Sequence, residues 1–257
     1  MDWETVTLEY DNAIATLTVD RPDQLNALDV PTLEALGEAI DTAVDDEARV
    51  LVVRGAGDRA FVAGGDIAYM QDLSTPEAEE LSALGHAVSD RLATAPIPTI
   101  AGIDGYALGG GCELAVACDF RVATPDVLIG TTEIDLGIMP GWGATQRLPT
   151  IVGDAMARRM IFLGEQLDAE TALEHGLVGE VVPDEDFEDR LDTLASDLAA
   201  KPHFALQTAK AAINQAGTGS REAGLEYERR AFAGLFGTAD QREGMAAFLA
   251  DREPNFE

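Results

Sequence analysis

Apolar and polar residues alternate along Val6-Thr7-Leu8-Glu9-Tyr10 and again along Ile14-Ala15-Thr16-Leu17-Thr18-Val19, on either side of the turn pair Asp11-Asn12. Alternation with a period of two predicts half-buried strands, and two of them across a short turn predict a hairpin. Past Arg21-Pro22-Asp23 the period changes. Leu33, Leu36, Ile40 and Val44 recur at helical spacing, which predicts a helix from about Pro31 with Asp29 or Val30 at its cap. A continuous apolar run at Val50–Val53 predicts a buried strand. Gly55-Ala56-Gly57 and Phe61-Val62-Ala63-Gly64-Gly65-Asp66 read as glycine-rich turns rather than regular elements. A helix is expected from Thr75-Pro76 to about Thr94.

In the centre, Pro98–Asp104 reads as a strand, Gly105-Tyr106-Ala107-Leu108-Gly109-Gly110-Gly111 as a glycine-rich lead, and the stretch from about Cys112 as an apolar helix. A short strand follows at Phe120–Ala123. Strand, glycine turn and helix succeed one another from residue 50 onward, a pattern of parallel strands with crossover helices and hence an α/β fold. From Asp184 the pattern is helical, with stretches at Phe204–Ile213 and Glu222–Phe236. The chain therefore divides into a core, residues 1–183, and a helical region, residues 184–257.

Composition narrows the partners. Among 257 residues, 47 Asp plus Glu face 17 Lys plus Arg, for a formal charge of −30, while the hydrophobic content of 46% is that of a folded domain. Binding to nucleic acid or to an anionic membrane rests on clustered Lys and Arg, so both are excluded as expected partners. Only Lys201 and Lys210 are lysines; the other 15 cations are arginine. Dense carboxylates with lysine nearly absent suggest a surface adapted to high salt, where a Debye length of roughly 3 Å at 1 M screens self-repulsion. Cys112 and Cys118 lie in one apolar stretch and read as small buried hydrophobes rather than a disulfide. With no leader-like N-terminus and no run of about 18 apolar residues, the expected location is the cytoplasm.

Several chemistries can be weighed against plainer uses of the same residues. Gly55-Ala56-Gly57-Asp58-Arg59-Ala60 loosely matches a dinucleotide fingerprint, but no helix is predicted to open there, so a plain turn is the better reading. His86, His175 and His203 are scattered without paired spacing or a Cys partner, so no metal site is expected. No glycine-flanked serine elbow is present. Gly64-Gly65 and Gly109-Gly110-Gly111 could serve only tight turns and close packing. If they face each other, one backbone N–H from each could hold a developing oxyanion. Glu113, in the first turn of the apolar helix, and Glu133, in Ile129-Gly130-Thr131-Thr132-Glu133-Ile134, are carboxylates embedded in apolar sequence. Desolvation raises such a group toward the range useful for acid–base work.

At these residues the sequence resembles the enoyl-CoA hydratase/isomerase (crotonase) family. The resemblance runs through Arg21-Pro22 and Asn26-Ala27-Leu28, Phe61–Ile67, Gly105–Ala115, Gly141-Trp142-Gly143-Ala144-Thr145-Gln146-Arg147-Leu148, and Arg242-Glu243-Gly244-Met245 with Phe248. It implies a spiral of ββα units with a C-terminal helical trimerisation region, assembled as a homotrimer or dimer of trimers. It further implies an oxyanion hole from the N–H groups of Gly65 and Gly110, and coenzyme A contacts at Ala27, Ala63, Asp66 and Ile67. The resemblance makes Glu113 and Glu133 a catalytic pair that hydrates the C2=C3 double bond of 2-enoyl-CoA thioesters, as in fatty-acid β-oxidation, with Glu113 holding and deprotonating the water and Glu133 delivering a proton to C2. Coenzyme A is then part of the substrate and no cofactor is expected. Trp142 is expected to line the acyl pocket or to serve as a structural aromatic. Ala68 stands where hydratases often carry a basic residue, and Arg59, Lys210 and Arg252 are candidates to meet the phosphates instead. A Δ3-Δ2 enoyl-CoA isomerase or another CoA-ester lyase is the alternative on the same fold, and a non-catalytic acyl-CoA-binding or assembly subunit the alternative of another class.

Overall fold

Alternating side chains at the N-terminus do form the hairpin, β1 (Val6–Asp11) and β2 (Ile14–Val19), paired antiparallel with Val6 opposite Val19. In the computed structural model, residues 3–217 and 219–256 are described; the chain ends of the two predicted regions, at residues 1 and 257, lie outside them. Helix α1 (Val30–Asp45) starts where its cap residue allows, since the Asp29 side chain accepts the N–H of Thr32. The apolar run becomes β3 (Val50–Gly55), and instead of an irregular turn Ala60–Val62 forms a short strand, β4. A fingerprint helix does not open at Asp58. Asn26 ties that turn down by donating to the carbonyls of Ala56 and Ala60 at 3.0 and 2.7 Å.

Helices α2 (Ile67–Met70) and α3 (Thr75–Thr94) follow, then β5 (Thr99–Ile103), β6 (Tyr106–Leu108), and α4 (Gly110–Ala117). After β7 (Phe120–Ala123) and β8 (Leu128–Gly130) come α5 (Ala144–Ile151) and α6 (Gly153–Leu163). Next are β9 (Gln166–Asp168), α7 (Ala169–Glu174) and β10 (Glu180–Val181). Helices α8 (Asp184–Ala199), α9 (His203–Gln215), α10 (Arg221–Leu235) and α11 (Ala239–Leu249) end the described chain.

A repeating unit is visible in the pairing. β3, β5 and β7 are parallel neighbours in a six-stranded sheet ordered β1-β2-β3-β5-β7-β10, while β4, β6 and β8 are parallel neighbours in a four-stranded sheet ordered β4-β6-β8-β9. Each turn of the chain thus places one strand in each sheet and then a helix. This is the ββα spiral of the crotonase fold, and it stacks the carboxyl ends of β4, β6 and β8 along one edge.

Burial follows the pleat. On β3, Leu51 and Val53 enter the main core with Leu17, Leu36, Ile40, Phe61 and Leu114, whereas Val50 and Val52 face a second cluster with Ile100, Val122, Phe187 and Leu191. Helix α8 therefore covers the outer face of the larger sheet. Every residue of α4 is buried, in contrast to α9 and α10, which bury none. Cys112 and Cys118 are free and buried. Among the described residues no helix is long and apolar enough to cross a membrane.

Candidate active site

The segments that follow β4, β6 and β8 come together. Gly64-Gly65 follows β4, Gly109-Gly110 follows β6, and Thr131-Thr132-Glu133 follows β8. A Cβ on Gly64 would lie 3.3 Å from the Leu108 carbonyl oxygen and 3.9 Å from the Gly110 nitrogen, so the two glycine turns are in contact. Gly64 and Gly109 have φ of +105° and +53°, backbone conformations that side-chain-bearing residues rarely adopt.

Backbone donors remain free there for a geometric reason. Leu28 forms a parallel bridge with Gly65 in which Leu28 N–H donates to the Gly64 carbonyl and Asp66 N–H donates to the Leu28 carbonyl, each at 2.8 Å. The N–H of Gly65 itself stays outside that ladder. Gly110 is the first residue of α4, where an N–H has no intrahelical acceptor and the helix dipole is positive.

Two carboxylates face these donors from differently built places. Glu113 is 1% exposed, and its Oε1 accepts the N–H groups of Trp142 at 2.8 Å and Ala144 at 2.9 Å. Burial pushes its pKa up, and those N–H bonds and nearby His86 offset the rise only in part. Glu133 opens a 3-10 turn, Glu133–Leu136, and its buried Oε2 has no hydrogen-bond partner among the described residues. A Cβ on Gly109 would lie 3.4 Å from its Oε1. Burial raises Glu133 to about 7, opposed by a hydrogen bond from its own N–H and aided, to a lesser extent, by the charge of Glu113.

The turn that grips Glu113 is itself clamped. Ser82 Oγ of α3 donates to the Gly141 carbonyl at 2.7 Å. Arg147 of α5 donates through Nη1 to the Trp142 carbonyl at 3.1 Å and pairs through Nη2 with Asp90 of α3 at 2.8 Å. Any side chain at Gly143, whose φ is +118°, would collide with the Arg147 guanidinium. One residue, Trp142, is thus fixed through both of its backbone groups, its N–H on the carboxylate and its C=O on arginine. Sequence reasoning did not assign Ser82, Asp90 or Arg147 a part in this; the only signal was an arginine four residues beyond a glycine-flanked turn.

Comparison with known proteins agrees with this architecture. The profile of the family described as enoyl-CoA hydratase/isomerase matches residues 9–257. A "Crotonyl-CoA hydratase" from Syntrophomonas wolfei is 41% identical over 257 residues, covering 100% of this chain and 99% of that protein. The chain belongs to the enoyl-CoA hydratase/isomerase family. A "Short-chain-enoyl-CoA hydratase" from Clostridium acetobutylicum is 37% identical, covering 98% of this chain and 97% of that protein. The crystal structure of an enoyl-CoA hydratase from Bacillus anthracis superimposes with a TM-score of 0.93 at 34% identity, covering 98% of this chain and 99% of that one.

The residues that the family resemblance assigns to coenzyme A lie together beside the site. Arg21 donates to the Ala27 carbonyl and pairs with Asp66 at 3.4 Å and Asp29 at 3.0 Å. Ala63 N–H donates to the Leu25 carbonyl at 3.0 Å, and Ile67 is 54% exposed at the head of α2. Of the proposed phosphate partners, Lys210 is engaged elsewhere: its Nζ pairs with Asp119 at 2.7 Å and donates to the Leu92 and Ile97 carbonyls. Arg252 is paired with Glu243 at 2.6 Å. Arg59 is exposed and donates to the Pro22 carbonyl at 2.6 Å, leaving it on the same side of the fold as Arg21.

Proposed function

We propose that this chain hydrates 2-enoyl-CoA thioesters to 3-hydroxyacyl-CoA, with Glu113 and Glu133 as the acid–base pair and the N–H groups of Gly65 and Gly110 as the oxyanion hole. The observation that carries the reading is the gathering of a buried carboxylate, Glu113, and a half-buried one, Glu133, with two backbone donors that have no partner among the described residues. The names of the relatives from Syntrophomonas and Clostridium point the same way.

In a 2-enoyl thioester the C2=C3 bond is conjugated with the carbonyl. Water attacking C3 pushes the π electrons toward the carbonyl oxygen, and two N–H donors stabilise that enolate-like charge; removal of one such donor typically costs about 3–4 kcal/mol of barrier. Glu113, whose charged form two N–H bonds favour against its burial, accepts a proton from the attacking water. Glu133, whose pKa is raised to about 7, is protonated in an appreciable share of molecules at neutral pH and delivers that proton to C2. The product gains OH at C3 and H at C2, and the proton taken up by Glu113 returns to Glu133 through exchange with solvent.

Exposed apolar residues on helices that bury nothing, Phe204 and Ile213 of α9 and Leu225 and Phe232 of α10, support assembly of the chain as a homotrimer or dimer of trimers. A cytoplasmic setting in fatty-acid degradation fits this chemistry. The test is direct: crotonyl-CoA mixed with the protein should lose its enone absorbance and yield 3-hydroxybutyryl-CoA. Conversion of a 3-enoyl thioester without hydration would assign the isomerase alternative, and binding of crotonyl-CoA without turnover the non-catalytic one.

A further inference from the structure

One buried amide in the turn before α1 takes no part in the chemistry above. Asn26 is fully buried, and its side chain makes three bonds: Nδ2 donates to the Ala56 and Ala60 carbonyls at 3.0 and 2.7 Å, and Oδ1 accepts the N–H of Arg21 at 3.0 Å. Gly55 makes the room, since a Cβ there would lie 2.6 Å from the Asn26 side-chain nitrogen. The backbone held in this way is one that a free chain rarely adopts. Leu25 and Asn26 have consecutive left-handed φ values of +53° and +58°, which asparagine tolerates and leucine does not.

What this turn delivers is an aimed peptide. Ala60 opens β4, and from there residues 25–28 run alongside the chain that leads to Gly65. Ala63 N–H donates to the Leu25 carbonyl at 3.0 Å, Leu28 N–H to the Gly64 carbonyl at 2.8 Å, and Asp66 N–H to the Leu28 carbonyl at 2.8 Å. The Gly64 carbonyl and the Gly65 N–H belong to one planar trans peptide, so they point in opposite directions. The bond from Leu28 that fixes the carbonyl therefore fixes the N–H as well, turned away from residues 25–28. Gly64, with φ of +105°, has no side chain to restrict that peptide, and its orientation depends on the bond from outside. Gly110 is placed differently, at the head of α4, and owes nothing to Asn26.

We propose that Asn26 is a positioning residue for the reaction: by locking residues 25–28 to the head of β4, its amide holds the Gly64–Gly65 peptide so that the Gly65 N–H meets the thioester oxygen. The inference rests on the hydration reading and adds to it a residue that touches neither the substrate nor the reacting atoms. Loss of one oxyanion donor lowers kcat by about 10²- to 10³-fold. A donor that is present but loosely aimed should cost at least tenfold. Because Gly110 keeps its place, binding of the ground state should change little.

The experiment compares the full chain with Asn26→Gly, which keeps the left-handed backbone and removes the amide, and with Asn26→Asp. The aspartate keeps the shape and the acceptor for Arg21 but sets an oxygen where the Ala56 and Ala60 carbonyls need a donor. Both variants should lower kcat for crotonyl-CoA at least tenfold, with KM within threefold of the parent. The second readout is the infrared carbonyl stretch of bound butyryl-CoA carrying carbon-13 at C1. In the parent two N–H donors should draw this band below its position in free butyryl-CoA, and in the variants the displacement should shrink by at least a third. A merely structural role reduces the amount of ligand bound and leaves the band where the parent has it. Parent-like kcat, or an unmoved band, in whichever variant folds overturns the role of Asn26 alone, and so does failure of both variants to fold, which makes the residue one of stability. Absence of crotonyl-CoA hydration by the unmodified chain overturns the hydration reading itself.

Discussion

Glu113 and Glu133 are the same residue type in two unlike regions, and the difference assigns them unlike tasks. Glu113 is a residue of a fully buried helix beneath a clamped turn, and one of its oxygens is held by two N–H groups at the head of α5. Glu133 stands at the start of a short 3-10 turn after a three-residue strand, with one oxygen buried and unpartnered. Donors aimed at a carboxylate favour its charged form, whereas burial without donors favours the neutral form. Burial raises both groups, Glu113 against two N–H bonds from another segment and Glu133 to about 7 against only its own N–H, with the charge of Glu113 adding to the rise, a contrast that supports the base and acid roles proposed for them.

The comparison breaks most sharply if either carboxyl group is neutralised. Glu113→Gln and Glu133→Gln should each lower kcat for crotonyl-CoA hydration by orders of magnitude while acyl-CoA binding survives. Steady-state kinetics with binding titration checks this, and near-normal hydration by either variant would sink the assignment.

A second, smaller effect separates the two regions, because only Glu113 depends on the Trp142 turn. Arg147→Met releases the Trp142 carbonyl and should lower kcat by about tenfold, an effect of order one hydrogen bond to a charged group, with little change in KM. It should also raise the apparent pKa of Glu113, shifting the acidic limb of the pH–rate profile upward, while leaving the basic limb set by Glu133 in place. A profile that keeps both limbs, or moves both together, would show that the clamp does not act through Glu113.

The smallest effect is on stability. The pKa of Glu133 is about 7 in the folded protein and near 4.5 when unfolded, so the group is neutral and well tolerated below pH 4.5 and is forced to ionise in a buried site as the pH rises through 7. Its contribution to stability is therefore lost between about pH 4.5 and 7. Thermal melts of Glu133→Gln should show a Tm advantage over the parent that grows across this window; an advantage independent of pH would remove burial as the cause of the shift.

Much of the fold was legible in the chain because its longer elements carry a period. The hairpin, α1, β3, α3 and β5 fall within a residue or two of the segments that alternation and helical spacing predict. The strands β4, β6, β8, β9 and β10 were not legible, since two or three residues are too few to display a period of two. Yet β4, β6 and β8 are the ones whose ends build the site. The candidate site was readable only as residue types in context, two glycine turns and two carboxylates in apolar stretches. The holding groups were opaque, because Arg147 and Asp90 are ordinary charges until α3 and α5 bring them to 2.8 Å.

By itself the sequence determined that the chain is an acidic α/β protein whose glycines and embedded carboxylates suit an oxyanion with acid–base chemistry, because period, glycine placement and charge are local properties; the CoA thioester came only with the family resemblance. Its formal charge of −30 spoke against partners that need a basic surface. Tertiary structure alone decided which N–H groups stay unengaged among the described residues, which carboxylate is held by N–H groups of another segment and which keeps an unpartnered buried oxygen. Those outcomes depend on contacts between segments 20 to 60 residues apart, and spacing along a chain carries no record of which distant atoms will meet.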